Sequence, residues 1–182
     1  MTKWDEKYRA GYGSNTAPEP LLVQAVHRIA PGIALDLACG RGRNAIYLAA
    51  LGWQVTALDS SQVALAELPA SIQAALTDLE SPDFHLARDA YHLVCDCYYL
   101  HRPLFPQIHA AVKPGGLFVA VIPMDDDDPA IQPMNSAYLC RPGELQSIFS
   151  DWEIVHTGEG KPQGDASRRR IAELIARKPA GA

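Results

Sequence analysis

Apolar residues along this chain form short buried runs that alternate with stretches of helical spacing. Five short runs, each bounded by turn residues or acids, predict strands: 33–37 (IALDL), 53–59 (WQVTALD), 71–78 (SIQAALTD), 90–97 (AYHLVCDC) and 116–123 (GLFVAVIP). Segments with helical character separate them. Strands that alternate with helices indicate an α/β domain with a mostly parallel sheet. Because no repeat or low-complexity linker divides the chain, we expect a single domain over residues 1–182.

Local signals place the ends of several helices. A loose, polar and aromatic-rich arm is expected over residues 1–18, followed by a helix that begins at a proline in PEPLLVQAVHRIA. Gly52 ends a helix over RNAIYLAALG, and a serine caps a short helix in SSQVALAEL. A capped helix is also expected around RPGELQSIF. The last apolar segment, RRRIAELIARK, has helical spacing at Ile171, Leu174 and Ile175, so periodicity alone predicts a helix there.

Composition narrows the class of protein. With 48% hydrophobic and 20% charged residues, the 182-residue chain is typical of a globular domain. A net charge of −5, with only Arg168–Arg170 as a basic cluster, argues against a nucleic-acid partner. No signal peptide or run of about 18 apolar residues is present, so we expect a cytoplasmic protein without a membrane partner. The cysteines lack zinc-site spacing and the aspartates at 125–128 lack calcium-loop spacing, so no metal is expected and 125–128 is predicted to be a solvated loop.

The strongest chemical signal is the glycine loop between the first strand and the next helix. Gly40 and Gly42 can adopt positive φ and let a ligand approach the backbone amides. Asp59, at the end of the second strand, stands where an acid can bind ribose hydroxyls. Since Gly40-x-Gly42-x-x-Ala45 also satisfies the dinucleotide fingerprint, spacing alone leaves NAD open as the ligand, and two glycines can also simply form a tight turn.

Asp36 discriminates between the possible ligands. It stands just before the loop, where its charge would repel a pyrophosphate and attract an ammonium group. S-adenosylmethionine carries an ammonium and a sulfonium and no phosphate. This acid therefore favours S-adenosylmethionine over NAD.

Two motifs resemble those of a known enzyme family. LDLACGRG and VTALDSS are similar to motifs I and II of the class I S-adenosylmethionine-dependent methyltransferases, with Ala38 in place of the usual first glycine. WDEKYRAGYG and VKPGGLFVAVIP resemble the N-terminal arm and fifth strand of the small bacterial enzymes of the tellurite-resistance and thiopurine type. The resemblance implies a doubly wound, mostly parallel, seven-stranded Rossmann-like sheet with an antiparallel last strand. It therefore assigns RRRIAELIARK to strand seven, against its helical spacing.

The resemblance also implies the cofactor contacts. Asp36 and the backbone from Ala38 to Gly42 would hold the methionine part, Asp59 would accept the ribose hydroxyls, and Asp78 would accept the adenine amino group, although an acid at that place is also typical of a helix cap. Cys95 would contact the cofactor from the end of strand four, although alternating cysteines are more typical of a core. The full expected set is Asp36, Ala38, Gly40, Gly42, Asp59, Ser60, Asp78, Leu79, Cys95 and Asp96.

The expected function is methyl transfer to a small-molecule acceptor. Such transfer needs alignment and exclusion of water more than a base, so no catalytic residue is assigned, and Asp96 and His101 are candidates only if the acceptor must lose a proton. Residues 1–30 would act as a lid. The residues expected on the substrate side are Tyr8, Tyr12, Tyr98 and Tyr99.

Several alternatives stay open. An NAD-dependent oxidoreductase and a non-catalytic regulatory protein of the same fold are the competing functions; the second is kept open by His92, which stands where the family has an acid. The short segment between Asp59 and Asp78 leaves room for a homodimer that completes the site. Arg41 and Arg43 either reach the cofactor carboxylate or begin a solvated helix, and we favour the helix.

Overall fold

The chain folds around one seven-stranded sheet. The computed structural model describes residues 2–162, 164–165 and 167–181, and the strand order is β3-β2-β1-β4-β5-β7-β6. Strands β1 to β5 pair in parallel, whereas β7 pairs antiparallel with both β5 and β6. The strands are β1 (Ile33–Leu37), β2 (Gln54–Asp59), β3 (Gln73–Leu76), β4 (Tyr91–Cys97), β5 (Val112–Pro123), β6 (Glu153–Gly160) and β7 (Ile171–Arg177).

Helices cover both faces of the sheet. Along β5, Leu117, Val119 and Val121 point to one face, where apolar residues of α2 and α3 pack, and the alternate residues point to the face covered by α5 and α6. The expected doubly wound sheet with an antiparallel last strand is thus confirmed. The helices are α1 (Lys3–Arg9), α2 (Pro20–Val26), α3 (Arg43–Ala50), α4 (Gln62–Leu65), α5 (Phe105–Ala111) and α6 (Glu144–Ile148), with 3₁₀ turns at Arg102–Leu104 and Ser136–Tyr138.

The segment RRRIAELIARK forms a strand although the spacing of its apolar residues is helical. Residues 171–177 form β7, so the helix predicted from periodicity is wrong and the strand implied by the resemblance is correct. Five of its seven residues are buried because β5 and β6 flank it on both edges and core lies on both faces. A strand buried in this way does not alternate between apolar and polar residues.

Two further expectations are corrected. Residues 77–90 form turns, so the helical character expected between the third and fourth strands is wrong. The N-terminal arm, expected to be loose, contains α1. The hydroxyl of Thr2 accepts a hydrogen bond from the Asp5 N–H, and the Asp5 carboxylate accepts one from the Thr2 N–H, which together form a capping box. No helix in the described part of the chain is long and apolar enough to cross a membrane.

Candidate functional site

A cleft of about 850 Å³ opens at the carboxyl edge of the sheet. It lies between the N-terminal arm and the carboxyl ends of β1, β2, β3 and β4. The strand order reverses direction between β1 and β4, and ligands of open α/β sheets bind in the crevice outside such a point. The fold therefore places the glycine loop where a ligand is expected.

The glycine loop has the left-handed backbone that its sequence predicts. Gly40 has φ 55° and Gly42 has φ 74°, and Ala38 adopts φ 50° despite its side chain. A Cβ atom at Gly40 would lie 2.6 Å from the hydroxyl oxygen of Tyr8, so another residue cannot occupy this position without displacing Tyr8. The loop backbone thus lies closely under the aromatic ring of the arm.

Asp59 is held in a fixed orientation at the end of β2. Its Oδ2 accepts the N–H of Gly40 and its Oδ1 accepts the N–H of Ser61, both at 2.8 Å. Burial raises the pKa of this carboxyl, while the backbone hydrogen bonds from Gly40 and Ser61 oppose that shift. The two carboxylate oxygens have four acceptor sites and the backbone N–H groups of Gly40, Ser61 and Ser60 act on them, so the carboxylate keeps capacity for a further hydrogen bond at the cleft.

Asp36 is almost fully buried and still lines the cleft. It accepts the N–H of Ala45 at 3.1 Å, and the thiol of Cys95 donates to its Oδ1 at 3.3 Å. Burial raises the pKa of Asp36 to about 7, against the lowering effect of these hydrogen bonds and of Arg43. A cationic ligand group beside Asp36 would favour its ionised form.

The structure brings most of the expected site residues together. Of the expected cofactor residues, those that line the cleft are Asp36, Ala38, Gly40, Asp59, Ser60, Asp78 and Leu79. The four expected substrate-side residues, Tyr8, Tyr12, Tyr98 and Tyr99, line it as well. Gly42, Cys95, Asp96 and His101 do not. Gly42 is instead the N-cap of α3.

Cys95 and Asp96 are both buried. Both were expected to contact the cofactor; Cys95 is fully buried and Asp96 is 1% exposed, and neither is part of the described cleft lining. They occupy the interior of β4, where neighbouring strands cover both edges. The Oδ1 of Asp96 is buried without a hydrogen-bond partner among the described residues, and burial raises the pKa of this carboxyl well above its ordinary value.

Tyr98 forms part of the far wall of the cleft. It has φ 67°, a left-handed conformation that is strained for a bulky residue. Its hydroxyl accepts a hydrogen bond from Arg168 at 2.7 Å, and the Arg43 guanidinium lies 5.6 Å from its ring centre. The neighbouring Tyr99 donates through its hydroxyl to Glu80 at 3.5 Å.

Arg41 and Arg43 hold the N-terminal arm, so the expectation of a solvated helix start is only partly correct. Arg41 donates to the carbonyl oxygens of Tyr8 at 2.6 Å and Tyr12 at 3.0 Å, and it also pairs with Glu67. Arg43 does begin α3, but its side chain ion-pairs with the buried Glu19 at 2.9 Å. Both side chains therefore fasten the segment that precedes the sheet.

Sequence reasoning missed Arg168, which lines the cleft, and Asp5, which lies behind it. The carboxylate of Asp5, on α1, accepts the hydroxyl of Ser61 at 2.7 Å, and Arg168 reaches the cleft from the loop between β6 and β7. The Thr2-x-x-Asp5 pattern could have predicted α1, since it is a capping-box signal. No local sequence pattern predicts the contact between Asp5 and Ser61.

Two features noted in the sequence, His92 and the acidic loop at 125–128, lie outside the described cleft lining. The Nδ1 of His92 accepts the N–H of Ile33 at 3.0 Å, so the residue that departs from the family pattern supports the start of β1. In the acidic loop at 125–128, Asp126 ion-pairs with Lys161 at 2.9 Å and accepts the N–H of Arg170 at 2.7 Å. Its side chain is 1% exposed, so the prediction of a solvated loop is wrong for this residue.

Comparison with known proteins identifies related chains. The family model described as tellurite resistance protein TehB matches residues 2–171. A probable S-adenosyl-L-methionine-dependent methyltransferase TehB of Haemophilus influenzae is 28% identical over 191 residues, which cover 95% of this chain and 66% of that protein. This chain therefore spans slightly less than two thirds of the length of that relative.

Solved structures show the same fold. The crystal structure of TehB from Haemophilus influenzae aligns with a TM-score of 0.75 and 26% identity, covering 97% of this chain and 67% of that one. A Burkholderia thailandensis 1,6-didemethyltoxoflavin-N1-methyltransferase, solved with bound 1,6-didemethyltoxoflavin and S-adenosylhomocysteine, aligns with a TM-score of 0.68 and 20% identity, covering 96% of this chain and 84% of that one.

Proposed function

This chain belongs to the TehB family, and we propose that it transfers a methyl group from S-adenosylmethionine to a small-molecule acceptor. One observation carries the proposal. Asp36, Asp59 and Asp78 line a single cleft around a left-handed glycine loop, at the carboxyl edge of a doubly wound sheet. This arrangement matches a ligand with an ammonium group, a ribose and an adenine, and it does not suit a pyrophosphate.

The residues present fit the proposed cofactor. Asp59 lines the cleft and keeps acceptor capacity for the ribose beside the backbone N–H groups that it already accepts. The buried Asp36 is a suitable partner for the ammonium group, and the left-handed backbone of Ala38 to Gly42 lies beside it at the cleft, where it would face the methionine part. Asp78 would accept the adenine amino group, with Leu79 against the ring.

The protein's own part in the reaction is alignment and exclusion of water. S-adenosylmethionine supplies a methyl carbon already activated by its sulfonium, so the transfer is an in-line displacement. Asp36 and Asp59 would fix the two ends of the donor, and the arm with Tyr8 and Tyr12 would keep water out. Tyr98 and Tyr99 would form the wall against which the acceptor is placed.

A general base is not part of the proposal. His101 and Asp96, the candidates considered for that role, both lie outside the cleft lining, and the described lining contains no histidine. We therefore favour an acceptor that reacts as a thiolate or as another anion, because such a nucleophile has no proton to lose.

Calorimetric titration tests the cofactor assignment. We expect S-adenosylhomocysteine to bind the wild-type protein and NAD not to bind. Asp59→Asn should weaken S-adenosylhomocysteine binding by about tenfold or more, because it removes a charged acceptor of ribose hydrogen bonds. Asp83→Asn, at an exposed aspartate outside the cleft, is the matched control and should leave the affinity unchanged. Binding of NAD without binding of S-adenosylhomocysteine would instead support an oxidoreductase.

A methyl-release assay tests catalysis separately. The wild-type protein is assayed against a panel of a thiol, an oxyanion, a phenol and an amine. Turnover of the thiol or oxyanion in preference to the amine is the expected result, because the described cleft lining contains no histidine, its three aspartates are assigned to the cofactor, and Glu80 accepts the hydroxyl of Tyr99. Tight cofactor binding without turnover of any acceptor would favour a regulatory protein of the same fold.

The remaining expectations concern the cellular location of the protein, its nucleic-acid binding and its oligomeric state. A cytoplasmic location suits the four cysteines, all of which are free, and the supply of S-adenosylmethionine there. Two of the three clustered arginines are engaged within the chain, Arg168 with Tyr98 and Arg169 with the carbonyl of Met124, which leaves little of a nucleic-acid surface. A homodimer stays a prediction, and the molecular mass in solution would test it.

A further inference from the structure

A chain of hydrogen bonds links the N-terminal helix to the ribose-binding corner of the cleft. The Oδ1 of Asp5 accepts the hydroxyl of Ser61 at 2.7 Å and the N–H of Val63 at 3.3 Å. The N–H of Ser61 donates to Asp59, whose other oxygen accepts the N–H of Gly40. Asp5 is 6% exposed and Ser61 is fully buried, so water does not compete for these bonds.

The helix that carries Asp5 also carries a residue that lies over Gly40, where this series of hydrogen bonds ends. Tyr8 follows Asp5 by three residues on α1, so both side chains lie on one face of the helix. The Tyr8 hydroxyl lies over Gly40, 2.6 Å from the place that a Cβ atom would occupy there. Hydrogen bonds thus link Asp5 through Ser61 and Asp59 to Gly40, and Tyr8, on the same helix as Asp5, lies over that glycine.

The Asp5 carboxylate is well placed to hold α1 against the ribose-binding corner of the cleft. Its Oδ2 accepts the N–H of Thr2 at 2.8 Å, so each carboxylate oxygen is engaged, one within α1 and the other on the body of the domain. The hydroxyl of Ser61 is the largest of the effects that lower the pKa of Asp5 to about 2. The carboxylate is therefore ionised near neutral pH, and hydrogen bonds to an ionised acceptor are the stronger kind.

We propose that Asp5 is a positioning residue for the cofactor, acting through Ser61 on Asp59 and through Tyr8 on the glycine loop. The inference rests on the proposed function, because it takes the cleft as the S-adenosylmethionine site. It assigns to the arm a part in donor affinity, whereas the sequence placed Tyr8 on the acceptor side.

A double-mutant cycle tests the proposal, with the Kd of S-adenosylhomocysteine measured by calorimetry on folded protein. Asp5→Ala and Ser61→Ala should each raise the Kd by about tenfold, and the double variant should be no weaker than the weaker single variant, because both break the bond between Asp5 and Ser61. Ser61→Ala also removes the N-cap of α4, so Asp5→Ala is the cleaner of the two variants. With an acceptor that turns over, the KM for S-adenosylmethionine should rise while kcat changes less than about threefold.

Two controls separate positioning from mere stabilisation of α1. Glu6→Gly lowers the helix propensity of α1 at an exposed position outside the described cleft lining and leaves the bond between Asp5 and Ser61, so its Kd should stay within about twofold of wild type. Glu6→Gln, at an exposed acid on the same helix, makes the same change of charge as loss of Asp5 and should also leave the Kd unchanged.

The outcomes distinguish this inference from the proposed function. If wild type binds S-adenosylhomocysteine and Asp5→Ala binds it equally well, the inference fails and the cofactor assignment stands. An increase in Kd for Glu6→Gly as large as that for Asp5→Ala would also overturn it, because helix stability alone would then account for the effect. If wild type does not bind S-adenosylhomocysteine, the proposed function itself fails.

Discussion

Asp36 combines burial with a position on the wall of the cleft. Burial raises its pKa to about 7, above the ordinary value of about 3.9, so the folded protein binds this proton more tightly than the unfolded chain does. The stability that this group contributes is complete below pH 4 and is lost as the pH rises through 7. A cationic ligand beside the carboxylate would offset that loss by favouring the ionised form.

The first prediction is a pH-dependent affinity. Between pH 5.5 and 7, the Kd of S-adenosylhomocysteine should fall about tenfold per pH unit as Asp36 ionises, and it should level off above about pH 7. Asp36→Asn should bind more weakly and lose this dependence. Calorimetry across the pH range measures both, and an equally steep profile in Asp36→Asn would assign the titration to another group.

The second prediction compares two glycines with similar backbones. Gly40 and Gly52 both have positive φ, 55° and 87°, but a Cβ at Gly52 meets no atom within 4 Å, whereas one at Gly40 meets Tyr8. Alanine at either position should cost about 1–2 kcal/mol of backbone strain in urea unfolding. Only Gly40→Ala should also weaken S-adenosylhomocysteine binding, by about tenfold or more. Equal affinities in the two variants would show that the clash at Tyr8 is harmless.

At the scale of elements, the arm is fastened to the glycine loop chiefly through Arg41. This side chain holds the carbonyl oxygens at the end of α1 and just beyond it, and α1 packs on α4. A helix of seven residues is too short to be stable by itself in water. Its order therefore depends on these tertiary contacts.

Hydrogen exchange tests this dependence. Arg41→Met should reduce the protection of amides in residues 2–13 by about tenfold, equivalent to about 1.4 kcal/mol of local opening, because three contacts of the guanidinium are lost. Exchange in β4 and β5 should stay unchanged. Arg88→Met, at an exposed arginine away from the arm, is the control, and unaltered protection of α1 in Arg41→Met would contradict the prediction.

The elements differ in how far the sequence could predict them. The strand, glycine loop and helix over residues 33–50 are specified by local pattern, and so are Asp36 and Asp59 at the strand ends. β7 could not be predicted from spacing, since its neighbours bury it on every side. Asp5 and Ser61 are separated by 56 positions, so their contact arises only from tertiary packing. The position of Asp96 near the end of β4 suggested a place in the cleft wall, but its burial depends on the strands on either side, which the local sequence does not reveal.

At the scale of the whole molecule, the core on the side of α5 and α6 is built around aromatic rings. Phe118 of β5 is fully buried and lies 4.8 Å, centre to centre, from the ring of Phe149. Phe149 in turn contacts Phe105, His109 and Trp152. Since β5 is a central strand, this cluster joins the sheet to the helices that cover it.

Truncation within this cluster should be costly. Phe118→Ala should lower the free energy of unfolding by about 3–5 kcal/mol, from lost burial and the cavity that remains. Ile46→Ala, at a side chain that is 40% exposed on α3, should change it by less than about 1 kcal/mol. Urea denaturation measures both, and a loss below about 2 kcal/mol in Phe118→Ala would indicate that the cluster collapses into the space.

The place of β7 in the sheet bears on how the protein forms during its synthesis. β7 follows every other strand in the chain, yet it lies between β5 and β6. While residues 171–177 are still inside the ribosome, the open edges of β5 and β6 have no partner, and unpaired edges are templates for association with other chains. The half of the sheet that carries the glycine loop, β1 to β4, can pair earlier. The other half of the sheet can therefore form only after residues 171–177 have left the ribosome and paired between β5 and β6.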